Sequence, residues 1–159
     1  MATTQPLRGT ATALTFAAGD STLAAAAYAV SSAVDTLTLG SGGIAADDAV
    51  LTLSIGIAAT AVANDYINVF VISSIDNVTF SNAPADGSTD ATHDANMQLL
   101  DTLVVPSAAA QTLVMPLQAI AQLFGGKLPP YVAVVVSNAS GAALTSLAGT
   151  IQGVNESVA

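Results

Sequence analysis

The sequence has 159 residues, enough for one domain with a substantial core, because a domain of this size buries roughly 70% of its unfolded surface. Apolar residues make up 52% of the chain and charged residues only 8%, with a single Lys, a single Arg and a single Glu. Helical domains usually cover their surfaces with those charged types, whereas this chain uses Thr, Ser and Asn. The composition therefore favours an all-β protein and argues against a helical one.

The charge balance predicts which partners the chain avoids. Its net charge is −9, so we expect phosphate backbones and anionic membranes to repel it and predict no nucleic-acid or membrane partner. The chain has no cysteine, which excludes disulfides and thiolate metal sites. Apolar runs stay shorter than the ~20 residues of a membrane span. Leu23 to Val30 resembles the apolar part of a signal peptide, but only Arg8 is basic upstream, so a buried Ala-rich strand is favoured.

The scarcity of charge also predicts self-association. An exposed sheet edge normally carries Lys or other charges that prevent edge-to-edge pairing, and this chain has almost none. We therefore expect other subunits to cover much of the surface. The alternative is a monomer coated with Thr and Ser.

The first part of the chain is predicted to be an arm followed by Ala-rich strands. Met1 to Gly9 lacks a pattern and reads as an arm, which either reaches a neighbouring subunit or is disordered. Thr10 to Ala17 is predicted to be a strand. Leu23 to Val34 is predicted to be a strand, with or without a bulge, and its rival is a helix over Leu23 to Ala29, because Ala favours helix. Asp35 to Leu39 resembles a short strand.

The middle of the chain shows the clearest strands. Ala49 to Ala58 has a period of two, with Leu51, Leu53, Ile55 and Ile57 on one face and Thr52, Ser54 and Gly56 on the other. Tyr66 to Ser73 is predicted to be the next strand. Asp76-Asn77 then signals a tight hairpin.

A long polar loop, Ser81 to Asn96, leads into the last third of the chain. Strands are predicted over Leu99–Val105 and Thr112–Met115. The spacing of Leu117, Ile120, Ala121 and Phe124 predicts one to two helical turns, which Gly125 would cap.

The strand Tyr131 to Val136 is apolar on both faces, which predicts burial on both sides. Asn138 to Gly141 turns the chain, and Ala142–Leu147 and Ala148–Val154 are predicted to close the sheet. Eight or more short strands with frequent turns are typical of sandwiches, jelly rolls and barrels. We therefore predict an antiparallel β-sandwich, jelly-roll-like, over residues 10–159, with at most one or two short helices and residues 1–9 as the arm.

The sequence offers no convincing catalytic group, and we predict that the chain is not an enzyme. Its one histidine, His93, lies in the Asp-rich loop, whereas a catalytic triad needs a histidine held by a rigid scaffold. Gly125-Gly126-Lys127 lacks the spacing of a phosphate-binding loop and is predicted to be a helix end.

Two further patterns resemble binding or modification sites. The loop between residues 86 and 96 could supply oxygen ligands for calcium, helped by Asp76 and Asn77, but it lacks the EF-hand spacing. We therefore predict no metal and no cofactor, and interpret the loop as solvated. The glycosylation patterns that begin at Asn77, Asn138 and Asn155 are interpreted as turns and strand ends.

The second half of the chain resembles small structural proteins of tailed bacteriophages. The similarity rests on Ala119 to Leu144, which contains Phe-Gly-Gly-Lys-Leu-Pro-Pro-Tyr, a Val-Val-Val strand and Asn-Ala-Ser-Gly-Ala-Ala-Leu. These segments are similar to a Gly-Gly-x-Leu-Pro element, a strand, and Asn-x-[Ser/Thr]-Gly-x-Ala-Leu. Phe70 to Phe80 resembles the strand, Ser-x-Asp-Gly/Asn and aromatic hairpin of the same proteins. The similarity spans Asp65 to Val154, and the first half is not specifically matched.

The resemblance implies a capsid cement or decoration protein: a β-sandwich that forms a homotrimer and binds the phage major capsid protein on the outer capsid surface. It leaves a tail or baseplate subunit open as an alternative. A third reading is a carbohydrate-binding module for host attachment. That reading is weaker because sugar rings stack on aromatic side chains, and the chain has no Trp and three Tyr, of which Tyr66 and Tyr131 are the candidates.

Overall fold

Alternating apolar and polar residues build two antiparallel sheets in the computed structural model, which describes residues 6–17, 22–41, 45–80, 83–84, 87–89 and 97–156. The first sheet has the order β1-β10-β5-β8, and β2 also pairs with β10. Its strands are β1 (Pro6–Arg8), β2 (Thr12–Ala13), β5 (Asp48–Ile57), β8 (Gln111–Ala119) and β10 (Leu144–Glu156).

The second sheet has the order β3-β9-β6-β7, and β4 also pairs with β9. Its strands are β3 (Tyr28–Val30), β4 (Val34–Asp35), β6 (Tyr66–Ser74), β7 (Gln98–Val104) and β9 (Tyr131–Ser137).

The topology is that of a jelly roll. β1 and β2 lie one after the other along β10, and β3 and β4 do the same along β9, so each pair occupies one strand position. Counted in this way, the structure has two sheets of four positions, and the chain crosses between them after each position except between β6 and β7. This is the double-sheet, eight-stranded arrangement of a jelly roll. The predicted all-β, jelly-roll-like sandwich is confirmed.

The main core lies between the two sheets. Leu51, Leu53, Ile55 and Ile57 of β5 are at most 1% exposed, as their period of two predicted. They belong to the same buried cluster as the inward residues of β9, among them Val134 in the middle of that strand. Fully burying such side chains stabilises a fold by about 1.5–3 kcal/mol each.

A second, smaller core covers the outer side of the second sheet. There Ala133 and Val135 of β9 pack with other buried side chains outside the main core, namely Tyr28, Phe70, Ile72 and Met97. Phe80 and Ala83, from the segment that follows β6, pack against this cluster. β9 is therefore buried on both faces, as its sequence predicted, because the chain folds back over its own sheet.

The prediction for residues 23–39 is correct only in part. The predicted strand with a bulge is found over residues 28–35 and not over the whole of Leu23–Val34: β3 and β4 both pair with β9, are separated by residues 31–33, and differ by one residue in their register with β9. A turn with Ala26 at φ 61° precedes β3, and this left-handed conformation excludes a helix there. Asp35 ends β4 and accepts a hydrogen bond from the Leu37 N–H, which starts a 3-10 turn over Thr36–Thr38 where a strand was predicted.

The predicted helix after β8 is also shorter than expected. β8 continues to Ala119, so Leu117 lies in a strand, and only Ala121–Phe124 forms a 3-10 turn. The strand continues because β5 still offers partners: the Ile120 N–H donates to the Ala49 carbonyl at 3.0 Å. Gly125 ends the turn in the left-handed conformation, at φ 75°, so its predicted capping role is confirmed.

The ends of the chain join the first sheet more fully than predicted. The two closing strands are one strand, β10, with an irregularity between Leu144 and Ser146. The strand predicted over Thr10–Ala17 shrinks to β2 plus a single bridge between Phe16 and Ser31. Residues 6–8 of the predicted arm form β1, which pairs with β10 of the same chain. Residues 1–5 lie outside the described residues.

Candidate interaction face

The outer side of the first sheet is a surface that the described chain leaves uncovered. We call it the open face and define it by the outward-pointing residues of four strands. They are Ala13 of β2; Val50, Thr52, Ser54 and Gly56 of β5; Thr112, Val114, Leu117 and Ala119 of β8; and Ser146, Ala148, Thr150 and Gln152 of β10. Strand alternation places them opposite the core residues.

The residues that define the open face carry no ionisable side chain, although the same alternation places Asp48 of β5 and Arg8 of β1, which is opposite Val154, on this side at one end of the sheet. At its centre the hydroxyl groups of Thr52 and Thr150, which are partners in the register of β5 and β10, lie 2.9 Å apart and share a hydrogen bond. Towards β8 the face becomes apolar, because Val114 is 66% exposed and Leu117 is 55% exposed. A shallow depression of about 420 Å³ lies between Ala13 and Val114.

This chemistry suits a broad contact with another protein surface. Small apolar groups are buried favourably and a hydroxyl that keeps a hydrogen bond loses little on desolvation, whereas a charge that is buried without a partner costs far more. Depletion of charge is also the compositional mark of the buried centre of protein interfaces. The second sheet differs, since its outer side is partly covered by the chain's own second core. The sequence pattern revealed the β5 part of this face, Thr52, Ser54 and Gly56, and missed the parts from β8 and β10, whose register it could not fix.

Two adjacent carboxylates lie at one end of the first sheet. Asp47 and Asp48 line a cavity of about 420 Å³ beside Ala121 and Gln122. The Asp48 Oδ1 accepts hydrogen bonds from the N–H groups of Ala49 and Ala121, at 2.7 and 2.8 Å. Asp48 thus fastens the 3-10 turn to β5, which is a structural role.

The loop between residues 86 and 96, which could supply oxygen ligands for calcium, lies mostly outside the described residues. His93 and the carboxylates of residues 86, 90 and 94 are among the residues that are not described. Asp76 is described, and its Oδ1 accepts hydrogen bonds from Thr79 N–H at 2.8 Å, Val78 N–H at 2.9 Å and the Ser74 hydroxyl at 2.8 Å. These donors, the Thr79 N–H foremost, hold the pKa of Asp76 below its usual range. Within the described ranges no three His, Asp or Glu side chains gather as metal ligands would.

Asp76-Asn77 forms a local turn and not the predicted tight hairpin. Asn77 has φ 61°, and Asp76 accepts the hydrogen bonds that close the turn. The two strands that flank it, β6 and β7, are joined by the whole of residues 75–97. The tight-hairpin prediction is therefore wrong, although the turn itself lies where the dipeptide placed it.

The other two glycosylation patterns also mark structural positions, as predicted. Asn138 is completely buried in the turn after β9, and its side chain bonds to the backbone around it. Asn155 is buried near the end of β10 and donates to the Ala45 carbonyl at 2.9 Å. Neither amide is presented to solvent as an acceptor for glycan transfer.

Comparisons with known proteins identify no family for this chain. No family model matches it, and no curated protein matches it. Among solved structures, a β-porphyranase of glycoside hydrolase family 86 from the human gut bacterium Bacteroides plebeius is similar at 14% identity and a TM-score of 0.38. The match covers 98% of this chain and 21% of that enzyme, so the chain spans about a fifth of the enzyme's length. A likeness of this size supports no argument about function. The described part of the chain contains no helix long and apolar enough to span a bilayer.

Proposed function

We propose that the chain is a structural protein of a tailed-phage virion, a cement or decoration protein that binds the outer capsid surface through the open face. The observation that carries the proposal is the contrast between the two sheets. The chain covers part of the outer side of one sheet with its own second core and leaves the outer side of the other sheet exposed, with apolar and hydroxyl-bearing side chains and no charge at its centre.

The charge distribution supports a protein partner on the open face. Eleven acidic residues against two basic ones give the chain a net charge of −9, yet none of the acidic residues that the structure describes is among those that define this face, and Asp48 lies at its end. A carboxylate there would have to be desolvated or paired on binding, and its absence removes that cost. The acidic remainder of the surface would keep the protein away from DNA, which fits a place outside the shell.

Two more general considerations point the same way. The sequence of Asp65 to Val154 resembles small structural proteins of tailed phages, and jelly rolls are found in viral capsid and lectin domains. A fold does not decide a function, so the second consideration is an analogy only. The resemblance also implies a homotrimer, which would present three open faces at a threefold position of a capsid lattice.

The experiment is to find the protein in particles. Virions of the phage whose genome carries this sequence would be purified and labelled with gold-conjugated antibodies against the recombinant chain, and its copy number would be measured by quantitative mass spectrometry. Label over the head and copies on the order of hundreds are the expected result, because a decoration protein repeats with the capsid lattice. Label on the tail with about six to a few dozen copies would favour the tail subunit instead. Absence from the virion would overturn both.

A further inference from the structure

The free edges of the two sheets differ in how they are protected against pairing with another strand. The edge at β3 is occupied, because Tyr28 N–H donates to the Ser88 carbonyl and Gly87 N–H donates to the Tyr28 carbonyl, at 2.9 and 2.7 Å. The edge at β7 carries Asp101 at its middle, next to a register shift opposite Val69 and Phe70. The edge at β1 and β2 is broken into two short strands and carries Arg8. Charges, bulges and short strands are the usual defences of a sheet edge.

The fourth edge, β8, is protected over only half of its length. Its nine residues contain no charge. The second half is defended by Pro116 and by the irregularity opposite Leu51–Leu53, which interrupts the regular ladder. The first half, residues 111–115, has neither device. Among the described residues, β8 pairs with β5 alone, so this half remains an open edge.

The register shows which backbone groups this edge presents. The Ala49 carbonyl accepts from the Ile120 N–H, so the backbone groups of the odd-numbered residues of β5 point towards β8. Two of them, Leu53 and Ile55, face Met115 and Leu113. Antiparallel strands alternate between groups that point to the partner and groups that point away. The N–H and carbonyl groups of Thr112 and Val114 therefore point away from β5, at the open edge.

We propose that this edge is a self-association site, in which β8 pairs antiparallel with β8 of a second copy about a twofold axis at Leu113. This register places Thr112 opposite Val114 of the other copy and Val114 opposite its Thr112. The outward-pointing backbone N–H and carbonyl groups of these four residues then form hydrogen bonds with one another. A twofold axis at Val114 would place Thr112 opposite Pro116, which has no N–H to give. The position of the proline thus excludes an axis at Val114.

A second copy fits this edge better than an unrelated strand because the edge is self-complementary. Two chains of charge −9 repel each other wherever carboxylates face across a contact, and β8 brings none. The pairing would also join the two first sheets into one, with order β1-β10-β5-β8-β8-β5-β10-β1, and would make the two open faces continuous. It does not depend on capsid binding. Because it is twofold, it is separate from a threefold contact within a trimer and would link one such trimer to the next.

Disulfide trapping tests the register directly, since the chain has no native cysteine. In the double variant Thr112→Cys/Val114→Cys, opposite residues of the two copies would have Cα atoms about 5.5 Å apart, within disulfide range. We expect a covalent dimer under mild oxidation. The matched control is Thr52→Cys/Ser54→Cys on the same face of the central strand β5, which has neighbours on both sides and should remain monomeric on a non-reducing gel. A monomeric Thr112→Cys/Val114→Cys variant would overturn the proposal, as would equal cross-linking of the control.

Lysine substitution tests the same contact without a covalent bond. Val114→Lys places two like charges close to the axis, and we expect it to weaken dimer formation at least about tenfold in sedimentation equilibrium, or about 1.4 kcal/mol. Leu117→Lys, on the half of β8 that carries Pro116, is the control at another exposed position and should leave dimerisation unchanged. The amide protons of Thr112 and Val114 should become protected from hydrogen exchange as the protein concentration rises. Fast exchange of both amides at every concentration would contradict the pairing.

Discussion

The most completely bonded side chain of the described structure is Asn138, in the turn between β9 and β10. Its Nδ2 lies 2.9–3.2 Å from the carbonyl oxygens of Leu23, Ala24 and Ala142, and its Oδ1 accepts from the backbone N–H and hydroxyl of Ser140. It therefore ties the turn to the Ala-rich segment before β3. A buried amide of this kind replaces backbone partners that neither segment finds within its own strand.

Replacing Asn138 with Ala should lower the free energy of unfolding by about 2–4 kcal/mol, because several buried backbone groups lose their partner at once. Urea unfolding followed by circular dichroism measures this change. The control is Asn68→Ala, which removes one partly exposed bond, from the Thr102 hydroxyl, and should cost about 1 kcal/mol or less. Equal effects of the two substitutions would show that the turn does not depend on Asn138.

Asp76 gives the fold a dependence on pH. Its folded-state pKa lies below the usual value, so the stability it contributes is complete above the unfolded pKa, about 3.9, and is lost as the pH falls through the folded pKa. We expect Asp76→Asn to be less stable than the parent at pH 7, with the difference shrinking below about pH 4. Ser74→Ala removes one of the three donors and should produce a smaller change in the same direction. Thermal unfolding at a series of pH values measures both, and a difference that stays constant down to pH 2 would contradict the assignment.

At the scale of strands, the sequence predicts well where one periodicity dominates. The alternation in β5 and the unbroken apolar run of β9 predict where each strand lies in the sequence and which of its residues are buried. They do so because the strand pattern differs from that of a helix or loop along the whole length of the segment. Position within the sandwich follows from the same patterns: a strand apolar on both faces needs a cover on each side, and the second core supplies the outer one.

The errors share a physical cause, which is that long-range partners decided between local alternatives. The Ala-rich segment takes short strands and turns because Asn138 and β9 bond to it, and no local pattern signals this. β8 extends past Leu117 because it pairs with β5 there. These hydrogen bonds outweigh the local preference for helix that the spacing of four apolar side chains indicates. The break predicted between Leu147 and Ala148 is also absent, and β10 runs on through Gly149 and Gly153. A Cβ at Gly149 would collide with Leu53 and one at Gly153 with the Leu39 carbonyl, so glycine is needed at these close approaches.

The hydrogen bonds of residues 6–9 determine which deletion can test the N-terminal arm. Residues 6–9 are bonded to β10: β1 pairs with residues 154–156, Gly9 N–H donates to the Gly153 carbonyl, and Gln152 Nε2 donates to the Gly9 carbonyl at 2.7 Å. Deleting residues 2–9 should therefore destabilise the fold by roughly 2 kcal/mol or more, at about 1 kcal/mol per lost bond. Deleting residues 2–5 keeps all of these bonds, and urea unfolding checks that the fold is intact. Only the shorter deletion can show whether an arm contributes to attachment. If the proposed function is correct, we expect this deletion to weaken binding to the particle.

At the scale of the whole molecule, the two sheets have different surroundings, and the sequence could predict only part of that difference. The low charge indicated that some surface must be covered, but not which one. Which sheet stays uncovered follows from two features. The strand register brings Thr52, Thr150 and Val114 onto the outer side of the first sheet, and the segment after β6 covers part of the outer side of the second sheet. Neither is a local property of the sequence.

A charge placed on the open face should separate binding from folding. Ala148 is exposed on β10, opposite Ser54, and makes no side-chain hydrogen bond, so Ala148→Lys should change the free energy of unfolding by no more than about 0.5 kcal/mol. If the open face contacts the capsid, the buried ammonium group must be desolvated without a partner, and binding to decoration-free particles should fall at least about tenfold, or 1.4 kcal/mol. The control is Thr102→Lys, exposed on β7 of the second sheet, which should bind like the parent in co-sedimentation. Unimpaired binding of Ala148→Lys, or an equal loss in Thr102→Lys, would exclude the open face as the capsid-binding surface even if the protein is found on the virion.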